Sequence, residues 1–235
     1  MTKFFGDPPQ VIERCYGTAG ELQLQKRDKE YEIIYNGVFI MATYNGASEK
    51  KAVNEALNKM ISDNKANSSL KVLIAGLGVG YSLCEALSFE EVIKATVVEI
   101  EPTIIRWNQT IFNQINKNAL SDSRVELINS DFSVSLQESR SKTDLNKLYH
   151  LVMVDTDNGS SWLSRPANEF FYSTSGLKRI KYFLHTGGAV CFWCSRRENL
   201  FESRLEKEFG NIYFRSILEK TGHEGCYYLA FNNPT

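Results

Sequence analysis

Residues 71–81 read KVLIAGLGVGY. The apolar run Val72, Leu73, Ile74 and Ala75 has the character of a buried strand, and Gly76, Gly78 and Gly80 then let the backbone turn tightly into a helix starting near Tyr81. Glycine suits a turn that brings backbone N–H groups against a ligand, and the positive end of the following helix suits a phosphate or carboxylate. Glycine-rich turns also occur in α/β domains that bind nothing there, so the spacing has to narrow the reading. A dinucleotide turn needs a third glycine where this chain has Tyr81, which disfavours NAD. Residues 95–101, ATVVEIE, form a second buried strand that delivers Glu99 about 20 residues beyond the glycines, where an acid can bond both ribose hydroxyls. Gly-x-Gly-x-Gly with a strand-end acid is the pattern of S-adenosylmethionine-type binding. A solvated surface charge is the other reading of Glu99.

Working outward, strands and helices alternate from Leu70 onward, which predicts an α/β fold with a parallel sheet covered on both faces. RVELINSD is read as a strand ending at Asp131, and YHLVMVDTDNGS as one ending at Asp155. Ligands in such sheets sit outside the carboxyl ends of the strands, so Gly76, Gly78, Gly80, Glu99 and Asp131 become the nucleoside-binding candidates. Asp131 can accept from an adenine amino group, or cap the helix beginning at Phe132, or do both. Asp155 and Asp157 sit where the reacting group of a bound nucleoside would lie, and two carboxylates in one site tune each other's protonation. If the strand continues through them, they share a face. Asn158, Trp162 and Tyr172 are the substrate-pocket candidates, with core packing as the alternative for the aromatic cluster Trp162, Phe170, Phe171 and Tyr172.

Before the sheet, residues 21–46 read as a small β unit, a hairpin or three strands, with Asn36-Gly37 as a hairpin turn. Residues 48–61 read as an amphipathic helix capped by Ser48. These features divide the chain into residues 1–62 and 63–235. Within the second part, Pro102 opens a helix running to Ile115, and a short helix follows Asp131. A helix over 175–184 and a Gly187-Gly188 turn lead to the strand AVCFWCS, then a helix spans 198–209, and IYFRSILE and CYYLAFN make a final hairpin.

Composition excludes several function classes. The net charge is −1 with Lys and Arg dispersed, which argues against a nucleic-acid surface. No stretch of 18 apolar residues exists and the apolar run at the N-terminus is too short for a signal peptide, so neither a membrane span nor export is expected and the cytoplasm is the expected location. The five cysteines fall mostly in apolar runs and read as reduced core residues; Cys191 and Cys194, three apart on one strand, point to opposite faces and share no metal. The three histidines are scattered, so neither a metal cluster nor a Ser-His-Asp arrangement is expected.

The order of a small N-terminal β unit with NGVFIM, then VLIAGLGVG, VVEIEP, RVELINSD, YHLVMVDTD and LHTGGAV resembles the spermidine synthase family of polyamine aminopropyltransferases, and NGVFIMATYNGASE, RWNQ and VDTDNG resemble a divergent spermidine-synthase-like branch. The resemblance implies a class I methyltransferase-like sheet of about seven strands and S-adenosylmethionine or its decarboxylated form as co-substrate. It also implies a small-molecule amine acceptor and a homodimer. Three departures stand out. The family's Gly-Gly-Gly-Asp-Gly turn has Val79 at its acid, its Tyr-His-Glu is Val53-Asn54-Glu55, and the second acid of its Asp-x-x-Asp-Pro gate is Asn158. Asn158 cannot act as a general base, so Asp155 or Asp157 would serve. A small-molecule methyltransferase and a non-catalytic nucleoside-binding homologue are the alternative functions.

Overall fold

The computed structural model of the protein describes residues 8–62, 69–138 and 149–233. Among these residues eleven strands form two sheets. The smaller sheet is antiparallel, with β1 (Gln10–Gly17), β2 (Gly20–Arg27), β3 (Glu30–Tyr35) and β4 (Val38–Ala42) in chain order. Asn36 and Gly37 turn β3 into β4 with φ of 49° and 77°, as a tight hairpin requires. The unit has four strands where a hairpin or three strands were expected. β1 escaped the reading because Val11, Ile12 and Tyr16 on this edge strand are exposed, so it lacks the apolar alternation that marks a half-buried strand.

Helix α1 (Ala47–Ser62) buries Ala52, Val53, Ala56, Leu57 and Met60, the 3.6-residue stripe of an amphipathic helix. Its cap is not Ser48. The helix starts one residue earlier, and the Glu219 carboxylate accepts from the N–H groups of Gly46, Ala47 and Ser48 at 3.1, 3.1 and 2.8 Å. A distant acid thus meets the unpaired donors and positive end of the helix.

The larger sheet has the order β10-β11-β9-β8-β5-β6-β7, formed by β5 (Leu70–Ala75), β6 (Val92–Glu99), β7 (Val125–Asn129), β8 (Tyr149–Val154), β9 (Leu184–Cys194), β10 (Ile212–Leu218) and β11 (Glu224–Phe231). β5 to β9 pair in parallel, and the closing hairpin β10–β11 adds antiparallel to β9. Its two faces feed two apolar cores: Val72 and Ile74 of β5 join α1 on one side, while Leu73 and Ala75 face the other. Cys191 and Cys194 likewise fall on opposite sides as unpaired thiols. The helices are α2 (Tyr81–Leu87), α3 (Pro102–Gln109), α4 (Phe132–Glu138), α5 (Glu169–Tyr172), α6 (Thr174–Phe183) and α7 (Asn199–Phe209). No helix among the described residues is long and apolar enough to cross a membrane.

Two local expectations are corrected. α3 ends at Gln109 rather than Ile115, because the Phe112 N–H bonds back to Trp107 O at 2.8 Å and the Asn116 amide takes the Asn108 carbonyl, drawing the chain out of helical register. Gly187 and Gly188 lie inside β9 rather than before it. Gly187 (φ 81°) and Gly188 exchange backbone bonds with Asn232 at 2.7 Å, and a Cβ on Gly188 would stand 2.9 Å from the His150 carbonyl.

Candidate active site

From β5 the chain moves outward to β6 and β7 and then crosses to β8 on the other side, leaving a crevice at the carboxyl ends of these strands. A cavity occupies it, bounded by the glycine turn, the ends of β6 and β7, the segment after β8 and the mouth of the small sheet at Met41 and Tyr35. The turn is built as glycines demand: Gly76, Gly78 and Gly80 have φ of 90°, 52° and 94°, and a Cβ on Gly76 would lie 2.1 Å from the Asp155 carbonyl oxygen. Gly76 and Gly78 line the cavity. Gly80 faces Asn108 and Asn116 instead and serves the turn, so its place among the ligand contacts is corrected.

Glu99 ends β6, 7% exposed and on the cavity wall. Its two oxygens accept from the backbone N–H groups of Leu77 and Glu101, each at 2.8 Å. Burial pushes its carboxyl above the usual range, and the two N–H bonds work against that shift. Each oxygen keeps a further lone pair, so two acceptors remain for a diol. Asp131 lies two residues beyond β7 rather than on it. One of its oxygens accepts from Ser133 N–H and Oγ at 2.8 and 2.7 Å, capping α4, and the other pairs with Arg165 at 2.7 Å. Burial raises its carboxyl, yet Ser133 and Arg165 outweigh burial and hold it below the ordinary value.

β8 stops at Val154, although Asp155 N–H still bonds to Ala75 O at 2.8 Å. Asp155 and Asp157 are therefore not successive residues of one strand face, yet both line the cavity. Their surroundings differ. Asp157 accepts from Ser164 N–H (2.7 Å), Ser164 Oγ (2.8 Å), Asn168 Nδ2 (3.0 Å) and Thr156 Oγ1 (2.8 Å), which ties it into the loop it begins. Burial raises its carboxyl against those bonds. The Asp155 carboxylate has one hydrogen-bonding partner among the described residues, Ser82 Oγ at 3.4 Å, and the residue keeps part of its surface open to the cavity. Burial first, then the field of Glu49, with Asp157 and Glu99 adding to it, pushes Asp155 well above the carboxylate range.

Asn158 and Trp162 stand on the wall beside them. Tyr172 does not; it is buried behind Asp157, its hydroxyl 3.4 Å from Oδ2, and belongs to the core with Phe192 and Phe201. The expectation that it lines the pocket is corrected by the turn of chain through α5, which aims its ring inward. The loop is closed on its far side by Glu198, which accepts from the N–H groups of Ser160 and Ser161 at 2.8 and 2.9 Å.

Residues that went unnoticed in the sequence complete the wall: Met41, Glu49, Arg165 and Trp193. Glu49 is 6% exposed in the first turn of α1, and burial pushes its carboxyl up against the bond from Ser48. An acid in a first turn ordinarily serves the helix dipole, so nothing in ASEKK distinguishes it. Met41 approaches the turn from the small sheet, its sulfur accepting from Val79 N–H at 3.3 Å. Val79 itself is fully buried.

The fold has known counterparts. The spermine/spermidine synthase domain model matches residues 50–194. A polyamine aminopropyltransferase of Streptomyces coelicolor is 33% identical over 112 residues, 46% of this chain and 20% of its own length. A putrescine N-methyltransferase of Nicotiana attenuata is 26% identical over 121 residues, 52% of this chain and 30% of its own. The matched segments thus span under a third of either relative. A spermidine synthase structure from Thermotoga maritima superposes with a TM-score of 0.75 at 14% identity, over 95% of this chain and 73% of that one, a likeness of fold. With the domain model covering more than half of its length, the chain belongs to the spermine/spermidine synthase family.

Proposed function

We propose that this protein transfers an alkyl group, aminopropyl in the leading reading, from an adenosyl sulfonium to an amine. The observation that carries it is Asp155: a deeply set carboxyl open to the cavity, flanked by Asp157 and Glu49. Three acids facing one space are mutually destabilising until a cation enters, and an amine is such a cation. Glu99 would accept the ribose hydroxyls and Asp131 the adenine amino group, with Gly76 and Gly78 passing beneath the nucleoside.

The chemistry asks little more than alignment, since sulfonium is already an activated leaving group. The entering ammonium must first give up a proton, which frees the nitrogen lone pair; the neutral nitrogen then attacks the carbon bonded to sulfur, and the carbon–sulfur pair returns to sulfur as a neutral thioether. Asp155 in its ionised form is the base that takes the ammonium proton before the attack. Asp157, held by Ser164 and Asn168, would fix the loop that carries Asn158 and Trp162 against the acceptor rather than take the proton itself. The proposal includes a cytoplasmic homodimer, whose assembly sedimentation would test.

Methyl transfer from S-adenosylmethionine is the second reading, favoured by Val79 at the family's turn acid and by the N-methyltransferase relative. Product mass separates the readings. The purified protein is incubated with each labelled donor and 1,4-diaminobutane, 1-aminobutane or neutral alcohols. An aminopropylated amine supports the leading reading and a methylated amine the second; no product on any amine, with the nucleoside bound, leaves a non-catalytic homologue.

A further inference from the structure

The two donors differ in the tail that each carries beyond its sulfur. One tail ends in an ammonium alone; the other also bears a carboxylate. Three N–H groups of the glycine turn are already bonded. The N–H of Leu77 is bonded to Glu99 at 2.8 Å, that of Val79 to the Met41 sulfur at 3.3 Å, and that of Gly80 to Leu77 O at 2.8 Å. The helix that follows spans only seven residues.

Against this stands an acid fixed from another element. Glu49 is 6% exposed and lines the cavity. Ser48 Oγ donates to it at 2.5 Å, and Trp193 Nε1–H donates to that hydroxyl at 2.9 Å. Ser48 is seated by its own N–H bond to Glu219, 2.8 Å, and by Gly225, where a Cβ would stand 2.3 Å from Ser48 Oγ. The neighbouring Lys50 turns its ammonium onto the Tyr81 ring, 4.3 Å from the centroid, and is absent from the cavity wall. Ser82, on the first turn of α2, bonds Asp155 at 3.4 Å, and Glu49 and Asp155 both line the cavity.

We propose that Glu49, set by the Trp193–Ser48 relay beside Asp155, selects the donor by its tail: an adenosyl sulfonium whose tail carries only an ammonium is held, and one bearing a carboxylate is repelled. The reading rests on the proposed function and names decarboxylated S-adenosylmethionine as the co-substrate. Rejection by a fixed like charge is the repulsive half of specificity. Glu49 does not take part in bond making, and Ser48 and Trp193 are positioning residues.

The test measures three affinities by calorimetry, for S-adenosylmethionine, its decarboxylated form and methylthioadenosine, whose short tail carries no charge, on wild type, Glu49→Gln and Ser48→Ala. Wild type is expected to favour the decarboxylated donor by about 100-fold or more. Glu49→Gln is expected to lose at least about tenfold of that preference, and Ser48→Ala a smaller part, with methylthioadenosine affinity unchanged in both. Equal wild-type affinity for the two donors overturns the inference, as does an undiminished preference in Glu49→Gln, and in both cases the transfer reaction survives if methylthioadenosine binds. Should Glu49→Gln fail to bind methylthioadenosine, Ser48→Ala decides, and an unchanged preference there overturns it. Absence of methylthioadenosine binding to wild type removes this inference and the proposed function together.

Discussion

The backbone N–H of Leu77 points at the carboxylate of Glu99 across 2.8 Å, so the glycine turn and the end of β6 form one bonded unit. A change at Glu99 therefore acts on a ligand twice, through the lost acceptors and through the slackened turn. Glu99→Ala is expected to weaken every adenosyl ligand by at least about tenfold, roughly 1.4 kcal/mol. Calorimetry with methylthioadenosine on the folded variant checks this. Unchanged affinity would place the ribose elsewhere.

Asp155 predicts an opposition between stability and activity. Its carboxyl is raised in the folded protein by burial and by Glu49, so the folded state holds a proton that the unfolded chain releases above about pH 4. Stability from this group is present at low pH and is lost as pH rises through the folded value, at about 1.4 kcal/mol per unit of displacement. Asp155→Asn removes the loss. At pH 8 without ligand the variant should melt higher than wild type, by about 2–4 °C per kcal/mol gained, with the gap closing near pH 4. It should show no turnover. Calorimetric scans across pH would reveal a lower melting point at pH 8 if the ionised carboxylate stabilises the empty site.

Asp157 predicts the reverse balance. Asp157→Ala leaves the half-buried Ser164 N–H without its partner and the Asn168 amide with Ser164 Oγ alone, a loss of about 2 kcal/mol. Urea unfolding measures it, and a change under about 0.5 kcal/mol would show that the loop holds without this acid. Acceptor KM should rise more than donor affinity falls.

Glu101 joins the two sheets. Its carboxylate accepts from Thr18 N–H at 2.9 and 3.0 Å and from Thr18 Oγ1 at 2.5 Å, pinning the turn between β1 and β2 to the entry of α3. Glu101→Ala is expected to lower stability by about 2 kcal/mol, and Thr18→Ala by less, because its N–H bond persists. The double variant should fall short of the sum. Additive losses in urea unfolding would show that the two residues act separately.

How far the sequence discloses this arrangement depends on the range of each contact. The glycine turn, Glu99 and the strand-end acids were legible because strand periodicity and short spacing place them without knowledge of packing. Cys191 and Cys194 were legible on the same ground. The cap of α1 was not, since Glu219 reaches it from the far end of the chain, and Glu49 reads like any first-turn acid until α1 is laid beside β8 and β9. β1 hid because an exposed edge carries no apolar alternation. The separate tasks of Asp155 and Asp157, two residues apart, were beyond reach because they follow from Ser82 on one side and Ser164 and Asn168 on the other.

The central claim is that a cationic amine entering the cavity favours the ionised form of Asp155, whose carboxyl burial and the field of Glu49 push up in the empty protein. The most direct measurement is calorimetry of 1,4-diaminobutane binding to the methylthioadenosine complex at neutral pH, in two buffers of different ionisation enthalpy. Wild type should release a proton as the amine binds, up to one per site, and Asp155→Asn should release markedly less. Equal proton release from both proteins, or amine binding that leaves protonation unchanged in wild type, would contradict the account.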